Sequence, residues 1–239
     1  MPYILSPKIV ENTEIMWMEG AVYEKQSIHK IQEGKLPPVN YDLHKIKPHS
    51  LTHAEGSLHV LENGKSIDQY FSNPSYFYGS CLVIKLLGNN YKLINSEKRI
   101  FHWEITLQEL IDNLERVVGH KIENGPDKIL ISTEIYHTNL QGYHDPNYVL
   151  TLSKEAAEFL VKNNNFNLFG TSWKSTDYNP GGVDRPIHKT IFTKAIIFEL
   201  LDLEKVPEGE YFFVGFPLRL QNASESPVTP VLFCTEELK

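Results

Sequence analysis

Three histidines and one carboxylate lie within eleven residues of the sequence, in the segment HSLTHAEGSLH. His49, His53 and His59 supply imidazole nitrogens, and Glu55 lies between the last two. Divalent metals such as zinc and manganese accept this mixture of imidazole and carboxylate ligands. If the first part of the segment forms a helical turn, His49 and His53 stand at i and i+4 on one face, and Glu55 completes a triangle. The spacing therefore predicts a metal site with one coordination position left open for water.

Two simpler interpretations fit the same histidine segment. The imidazoles could be solvated side chains of a polar loop, because exposed histidines cost no folding energy. They could also form a purely structural metal clip, although His59 would then lack a function. We favour a catalytic metal site, since an accessible coordination position distinguishes a catalytic site from a structural one.

Short runs rich in β-branched or aromatic residues recur along the chain, each bounded by Gly, Pro, Asn or Asp. Such runs are typical of strands. The predicted strands cover residues 80–87, 128–134, 168–170, 195–200, 211–215 and 231–233. Residues 222–227 are polar and are predicted to connect two strands.

Two segments have the apolar periodicity of amphipathic helices. The first covers residues 106–118, with Thr106 as its N-cap and Gly119 as its end. The second begins at Ser153, where acidic residues fall in the first turn. Together with the strands, these helices predict an α/β chain rich in sheet, organised as a single domain over residues 1–239.

Composition and charge exclude several classes of function. The chain has 239 residues and a formal net charge of −7, and its 23 Lys and Arg are scattered. A nucleic acid partner is not expected, because binding a phosphate backbone requires a basic stripe. No apolar run approaches the roughly 18 residues of a membrane span, and the N-terminus lacks the pattern of a signal peptide. We therefore expect a cytoplasmic enzyme with no membrane partner and a small-molecule substrate.

The two cysteines, Cys81 and Cys234, are far apart in sequence and form no CxxC pair. Neither a disulfide framework nor a thiolate zinc cluster is expected. Both residues are predicted to be buried, reduced thiols.

The histidine segment resembles the signature HxGTHxDxPxH of the metal-dependent cyclase and kynurenine formamidase family. The positions that coincide with the signature are His49, Thr52, His53 and His59. The positions that depart from it are Leu51, Glu55 and Ser57, which replace Gly, Asp and Pro. Further similar stretches are GKSIDQY (64–70), FGTSWKSTD (169–177), VPEGEYFFVGFPLRL (206–220) and SPVTPVLF (226–233), so the resemblance spans most of the chain.

This resemblance implies metal ligands and a catalytic group. It implies that His49, His53 and Glu55 bind one ion, and that His188 and Glu199 help to bind a second. The residue at the aspartate position, here Glu55, would bridge the two ions. Because ligand distances must hold within about 0.2 Å, the extra methylene of a glutamate leaves one ion instead of two as an alternative. The family uses the residue at the position of His59 as a general acid and base.

His188 and Glu199 also have simpler interpretations. His188 could cap a turn, and Glu199 lies in the apolar run AIIFELL. Burying an unpaired carboxylate costs several kcal/mol, which a metal ion would offset. Tyr136, His137, Tyr143 and His144 lie in a predicted loop that could border the site, and no chemistry is assigned to them.

By resemblance, the fold is a cyclase-like α/β domain of mixed β-sheets with flanking helices, of the swivelling β/β/α type, commonly assembled as a homodimer or larger oligomer. The leading function is hydrolysis of a C–N bond in a small amide, such as an aryl formamide or a cyclic amide, by a metal-activated water. Zinc is the first choice of metal, and manganese is the second. A biosynthetic cyclase or dehydratase and a non-catalytic binding homologue remain alternatives.

Overall fold

The computed structural model describes residues 1–11, 13, 16–17, 20–139, 141–180 and 182–234. The described strands are β1 (Tyr3–Ile4), β2 (Tyr23–His29), β3 (Tyr41–Ile46), β4 (His53–Glu55), β5 (Tyr78–Leu86), β6 (Lys92–Asn95), β7 (Ile100–Ile105), β8 (Lys128–Thr133), β9 (Tyr148–Leu152), β10 (Leu168–Thr171), β11 (Ile196–Glu199), β12 (Gly209–Val214), β13 (Glu225–Pro227) and β14 (Val231–Cys234). The described α-helices are α1 (Ile67–Tyr70), α2 (Leu107–Val118), α3 (Lys154–Lys162) and α4 (Pro186–Ile191).

The largest sheet in the described part of the chain mixes parallel and antiparallel strands. Its strand order is β1-β14-β12-β5-β8-β10-β11-β4-β13. The central pairs β5–β8, β8–β10 and β10–β11 are parallel, and the outer pairs are antiparallel. All the strands predicted from apolar runs belong to this sheet. The predicted α/β class with mixed sheets and flanking helices is confirmed.

The central strands are buried on both faces. In β5, Leu82 and Ile84 belong to one apolar cluster, which includes side chains of α2, α3 and α4. Cys81 and Val83 point the opposite way, into a second cluster with Leu5 and neighbouring side chains. Parallel strands covered on both sides read as continuous apolar runs, which is why the sequence revealed them.

The two longer helices begin where the sequence predicts, and the first also ends at the predicted residue. Thr106 caps α2 by accepting a hydrogen bond from the Glu109 backbone at 3.2 Å, and Gly119 follows the helix in a left-handed conformation with φ of 76°. Glycine adopts that conformation without the steric penalty of a Cβ. Ser153 caps α3 in the same way as Thr106. Both predicted helices are confirmed.

Two local predictions are wrong. His49 and His53 do not share a helical turn, because His49 lies in a short 3₁₀ helix (Pro48–Ser50) while His53 begins β4. Residues 222–227 do not form only a connection, because their second half is β13. Both β4 and β13 are three residues long, so their pairing with neighbouring strands, and not a local pattern, defines them.

The burial of the two cysteines and the character of the helices were also predicted from the sequence. Cys81 is buried as predicted, whereas Cys234 is half-buried. Burial raises the pKa of the Cys81 thiol, which makes it unreactive. None of the described helices combines the length and the apolar character that a bilayer span requires.

We expect Leu114→Ala to lower the free energy of unfolding by about 2–5 kcal/mol, because it leaves a cavity between α2 and the sheet. Leu114 is 1% exposed and packs in the apolar cluster on that face. Denaturant unfolding monitored by circular dichroism measures the change. Asp112→Ala, on the solvent side of the same helix, is the control and should shift the value by about 0.5 kcal/mol or less. An equal loss of unfolding free energy in the two variants would contradict the packing described for α2.

Candidate metal centre

Strand β4 carries His53 and Glu55 between two neighbouring strands. It pairs with β11, where His53 lies opposite Glu199, and with β13, where Glu55 lies opposite Glu225. Residues i and i+2 of a strand point to one face, and directly opposed residues share a face. The strand register therefore collects one imidazole and three carboxylates on the same side of the sheet.

The carboxylate of Glu55 is fully buried and is surrounded by four imidazoles. Its Oε1 lies 3.3 Å from His49 Nδ1, 3.0 Å from His53 Nε2 and 3.4 Å from His59 Nε2. Its Oε2 lies 3.2 Å from His188 Nε2. Glu55 is therefore the centre of the cluster, with three histidines of residues 49–59 and the distant His188 directed at it.

Hydrogen bonds at the far side of two rings fix which nitrogen faces the cluster. His53 Nδ1 donates to the carbonyl oxygen of Leu51 at 2.7 Å, and His188 Nδ1 donates to Asp177 Oδ2 at 2.6 Å. In the neutral tautomer, the remaining Nε2 of each ring carries a lone pair. Both lone pairs point at oxygens of Glu55, an arrangement that is favourable only with a proton or a cation between them.

The second buried carboxylate, Glu199, ends β11. Its Oε1 accepts a hydrogen bond of 2.8 Å from the Thr176 hydroxyl and lies 3.5 Å from His188 Nε2. Its Oε2 is buried and has no hydrogen-bond partner among the described residues. His53 Nε2 lies 4.0 Å from this oxygen. A buried carboxylate oxygen that lacks a hydrogen-bond partner and lies near a ring nitrogen is suited to coordinate a cation.

The pKa shifts show that the buried carboxylates and the surrounding imidazoles stabilise each other's charged forms. Burial raises the pKa of Glu55, but hydrogen bonds from the imidazoles, His188 first, outweigh it and hold that pKa well below its ordinary value. Burial disfavours the charged form of His188, yet hydrogen bonds to Asp177 and Glu55 raise its pKa to about 10. Burial and the charge of Glu55 raise the pKa of Glu199. The cluster therefore retains protons that a divalent cation would displace on binding.

The open edge of the cluster is formed by His49, His59 and Glu225, whose side chains are 28%, 24% and 25% exposed. His59 Nδ1 lies 3.7 Å from Glu225 Oε2, and the hydroxyl of Ser224 donates to the same oxygen. The hydrogen bond with His59 lowers the pKa of Glu225 to about 2, so this residue is a carboxylate at neutral pH. The cluster is therefore exposed to solvent at this edge.

The donor set fits a divalent cation in its chemistry and in its spacing. Two ligands of a tetrahedral zinc ion, each about 2.0–2.1 Å from the metal, are separated by about 3.3 Å. The separations from Glu55 and Glu199 to the nearest ring nitrogens are 3.0–3.5 Å. Two sets of side chains bring single ligand atoms within 4.8 Å of one another: His49, Glu55 and His59, and His53, Glu55 and Glu199.

The structure gathers all the residues that the sequence singled out for the site around Glu55: His49, His53, His59, His188 and Glu199. The sequence gave no role to Thr176, Asp177 or Glu225. Thr176 and Asp177 lie in the segment FGTSWKSTD, and the resemblance of that segment to the family was the signal that could have identified them. Glu225 lies in the segment predicted to be a connection, and only the pairing of β13 with β4 reveals its position.

The loop after β8 packs near the ligand-bearing segments through Tyr143 and contributes no ligand among the described residues. Tyr143 is buried against Leu51 and Leu200, which flank the ligand-bearing segments. His144 is fully buried, and burial lowers its pKa to about 3, so it is neutral. These side chains support the backbone behind the site, and they remain without an assigned chemical role.

Comparison with known proteins gives one family model that matches most of the chain. The model is described as "Putative cyclase" and covers residues 5–178. Among curated proteins, a kynurenine formamidase from Polaromonas naphthalenivorans (strain CJ2) is 26% identical over 230 residues, which are 95% of this chain and 88% of that protein.

Solved structures with the same fold include two hydrolases. A "predicted metal-dependent hydrolase" from Bacillus stearothermophilus is 20% identical, with a TM-score of 0.64 over 97% of each chain. Isatin hydrolase A from Ralstonia solanacearum is 18% identical, with a TM-score of 0.70 over 97% of this chain and 91% of that one. At these identities the two structures establish a shared fold.

We expect Asp177→Ala to weaken zinc binding by about 10- to 100-fold, because His188 loses the acceptor that fixes its tautomer and ring orientation. Calorimetric titration of the metal-depleted protein with zinc measures the affinity. Asp184→Ala is the matched control, since Asp184 is exposed and pairs with Lys189 outside the cluster. Unchanged affinity in a correctly folded Asp177→Ala protein would show that this hydrogen bond does not prepare a ligand.

Proposed function

The chain belongs to the cyclase family, and from that premise we propose that it is a metal-dependent hydrolase of the C–N bond in a small aryl amide. The single observation that carries this proposal is the buried Glu55 carboxylate with imidazole nitrogens directed at it. The partly exposed edge at His49 and His59 is the proposed entrance for a small substrate.

The substrate class follows from the chemistry of the relatives' names. A kynurenine formamidase acts on an aryl formamide, and an isatin hydrolase acts on a cyclic aryl amide. Both substrates present an amide carbonyl attached to an aromatic amine. We propose that this chain accepts an aryl formamide or a related cyclic amide.

Zinc is the proposed metal, and manganese is the alternative. Imidazole and carboxylate ligands without thiolate suit both, and the short ligand separations suit zinc. The two candidate ligand sets share Glu55, so they can hold one ion each with Glu55 between them. We propose that His49, His53, Glu55, His188 and Glu199 are the ligands, and that the stoichiometry is one or two ions per chain.

The chemistry that a divalent ion supplies when bound is polarisation of the amide carbonyl and activation of a water molecule for attack. The chain's own residues orient the reactants and move the proton. His59 stands at the open edge with Nε2 turned towards the cluster, so it can take a proton from water and deliver it to the leaving nitrogen. Glu225 pairs with Nδ1 of the same ring, and the hydroxyl of Ser224 donates a hydrogen bond to Glu225.

The role of His59 has one competing assignment within the cluster. Its Nε2 belongs to a candidate ligand set with His49 and Glu55, so His59 could itself bind the ion. The contact with Glu225 favours an acid–base role, because a carboxylate at Nδ1 stabilises the protonated ring that forms during proton transfer.

A second candidate function is a cyclase or dehydratase reaction in a biosynthetic pathway. The description of the family model favours it, and the same activated carbonyl could serve ring formation. Hydrolysis consumes water, whereas cyclisation releases it, so product analysis separates the two reactions. A non-catalytic binding protein, the third possibility, would show no turnover with either class of substrate.

We propose that the chain forms a homo-oligomer in the cytoplasm. Strands β2 and β3 make a separate two-stranded sheet, and isolated hairpins are marginally stable in water. Its exposed apolar side chains include Ile28, Tyr41 and Leu43. A second copy of the chain is the proposed cover for this surface, and the substrate is a small molecule.

We expect chelation to abolish hydrolysis of formanilide, and added zinc or manganese to restore it, because both carbonyl polarisation and water activation require the ion. Release of aniline measures turnover, and elemental analysis measures metal content in the same samples. Persistent turnover in metal-free protein would contradict metal dependence. Full metal content without turnover of any amide would favour the cyclase or binding alternatives.

We expect His59→Ala to lower kcat by about 10²- to 10⁴-fold while metal content stays unchanged, since general acid–base catalysis typically contributes that factor. His120→Ala is the matched control, because His120 is exposed outside the cluster and contacts a backbone carbonyl. A parallel loss of metal and activity in His59→Ala would identify His59 as a ligand.

A further inference from the structure

A half-buried lysine lies next to the open edge of the metal centre. Lys174 belongs to the segment FGTSWKSTD, three positions before Asp177. Its Nζ lies 4.5 Å from the centroid of the Trp17 ring and 5.9 Å from that of Trp173. The ammonium group is therefore held against the faces of two indoles.

Trp17 connects this ammonium group to the metal centre. Its ring centroid lies 5.3 Å from that of His49, with the two planes tilted by 33°. His49 forms part of the open edge. One aromatic ring, that of Trp17, therefore contacts both Lys174 and an imidazole of the open edge.

The donors of Lys174 have no oxygen acceptor within the part of the chain that the structure describes. Other lysines differ: Lys25 pairs with Asp42, and Lys189 pairs with Asp184. Burial lowers the pKa of Lys174, and no carboxylate among the described residues opposes that effect. An indole face attracts a cation but does not satisfy three N–H donors. Among the described residues, the ammonium group therefore has contacts with aromatic rings and no anionic partner.

The charge around the entrance gives Lys174 a specific use. Four carboxylates, of Glu55, Asp177, Glu199 and Glu225, surround the cluster, and the whole chain carries a formal net charge of −7. A bound divalent ion offsets part of this negative charge, and a lysine beside the entrance adds to the attraction for an anionic substrate. A half-buried ammonium group also gains more from an ion pair than an exposed one does.

Resting on the proposed function, we propose that Lys174 binds a carboxylate substituent of the substrate while the scissile amide occupies the metal centre. The substrate class is then narrowed to aryl amides that carry an acidic group. Lys174 acts as a specificity residue, because its ammonium group contacts a part of the substrate that does not react. Trp17 holds that ammonium group in place through its ring face.

The test compares unsubstituted formanilide with formanilides that carry a carboxylate at the ortho, meta or para position. In the wild-type metal-loaded protein, at least one acidic substrate should have a KM about tenfold or more below that of formanilide, since hydrogen bonds to charged groups are among the stronger ones. Lys174→Gln should raise that KM by about tenfold or more and leave kcat nearly unchanged. Kinetics of neutral formanilide should be unaltered in the variant.

Two further variants complete the design. Lys174→Arg keeps the positive charge and should restore part of the preference for the acidic substrate. Lys154→Gln removes an exposed lysine of α3 and is the matched control for loss of one charge.

The outcomes separate the two proposals. An equal loss of kcat/KM for acidic and neutral substrates in Lys174→Gln would overturn the inference, because it would show that Lys174 only supports Trp17. The absence of any preference in the wild-type protein would overturn it too, while leaving amide hydrolysis intact. A lack of turnover with every amide would overturn the proposed function and, with it, this inference.

Discussion

A buried carboxylate needs compensating positive charge, and Glu55 imposes that requirement on two segments that lie far apart in the sequence. It is fully buried on a three-residue strand, where solvent cannot stabilise its charge. The compensation comes from imidazoles of the segment around residues 49–59 and from His188 on α4. The antiparallel placement of β4 between β11 and β13 makes this convergence possible, because it sets Glu199 and Glu225 on the same face.

Groups behind the imidazoles give the cluster its directionality. The carbonyl of Leu51 and the carboxylate of Asp177 each occupy the outer nitrogen of one ring, so the inner nitrogen is turned towards Glu55. Asp177 also accepts hydrogen bonds from the backbone of Ile187 and His188, which anchors the start of α4. The same carboxylate thus positions both the helix and the ring that the helix carries.

The sequence predicted the parts of the fold and site that leave a local pattern. Continuous apolar runs revealed the central strands, capping residues revealed α2 and α3, and the spacing of histidines revealed the cluster around Glu55. The geometry of that cluster was not predictable, since His53 lies on a strand instead of a helical turn. Glu225 was missed because a three-residue edge strand has no pattern of its own, and its role depends on a partner strand about 170 residues earlier in the chain.

The register of His53 opposite Glu199 joins residues that are almost 150 positions apart in the chain. In the unfolded polypeptide these groups do not share a cation, so an ion that binds the assembled cluster stabilises the native state in proportion to the logarithm of its free concentration. The cellular concentration of the ion would then determine how well the folded protein resists proteolysis, in addition to determining its catalytic activity. Starvation for the ion would reduce the abundance of the protein, and not merely silence it.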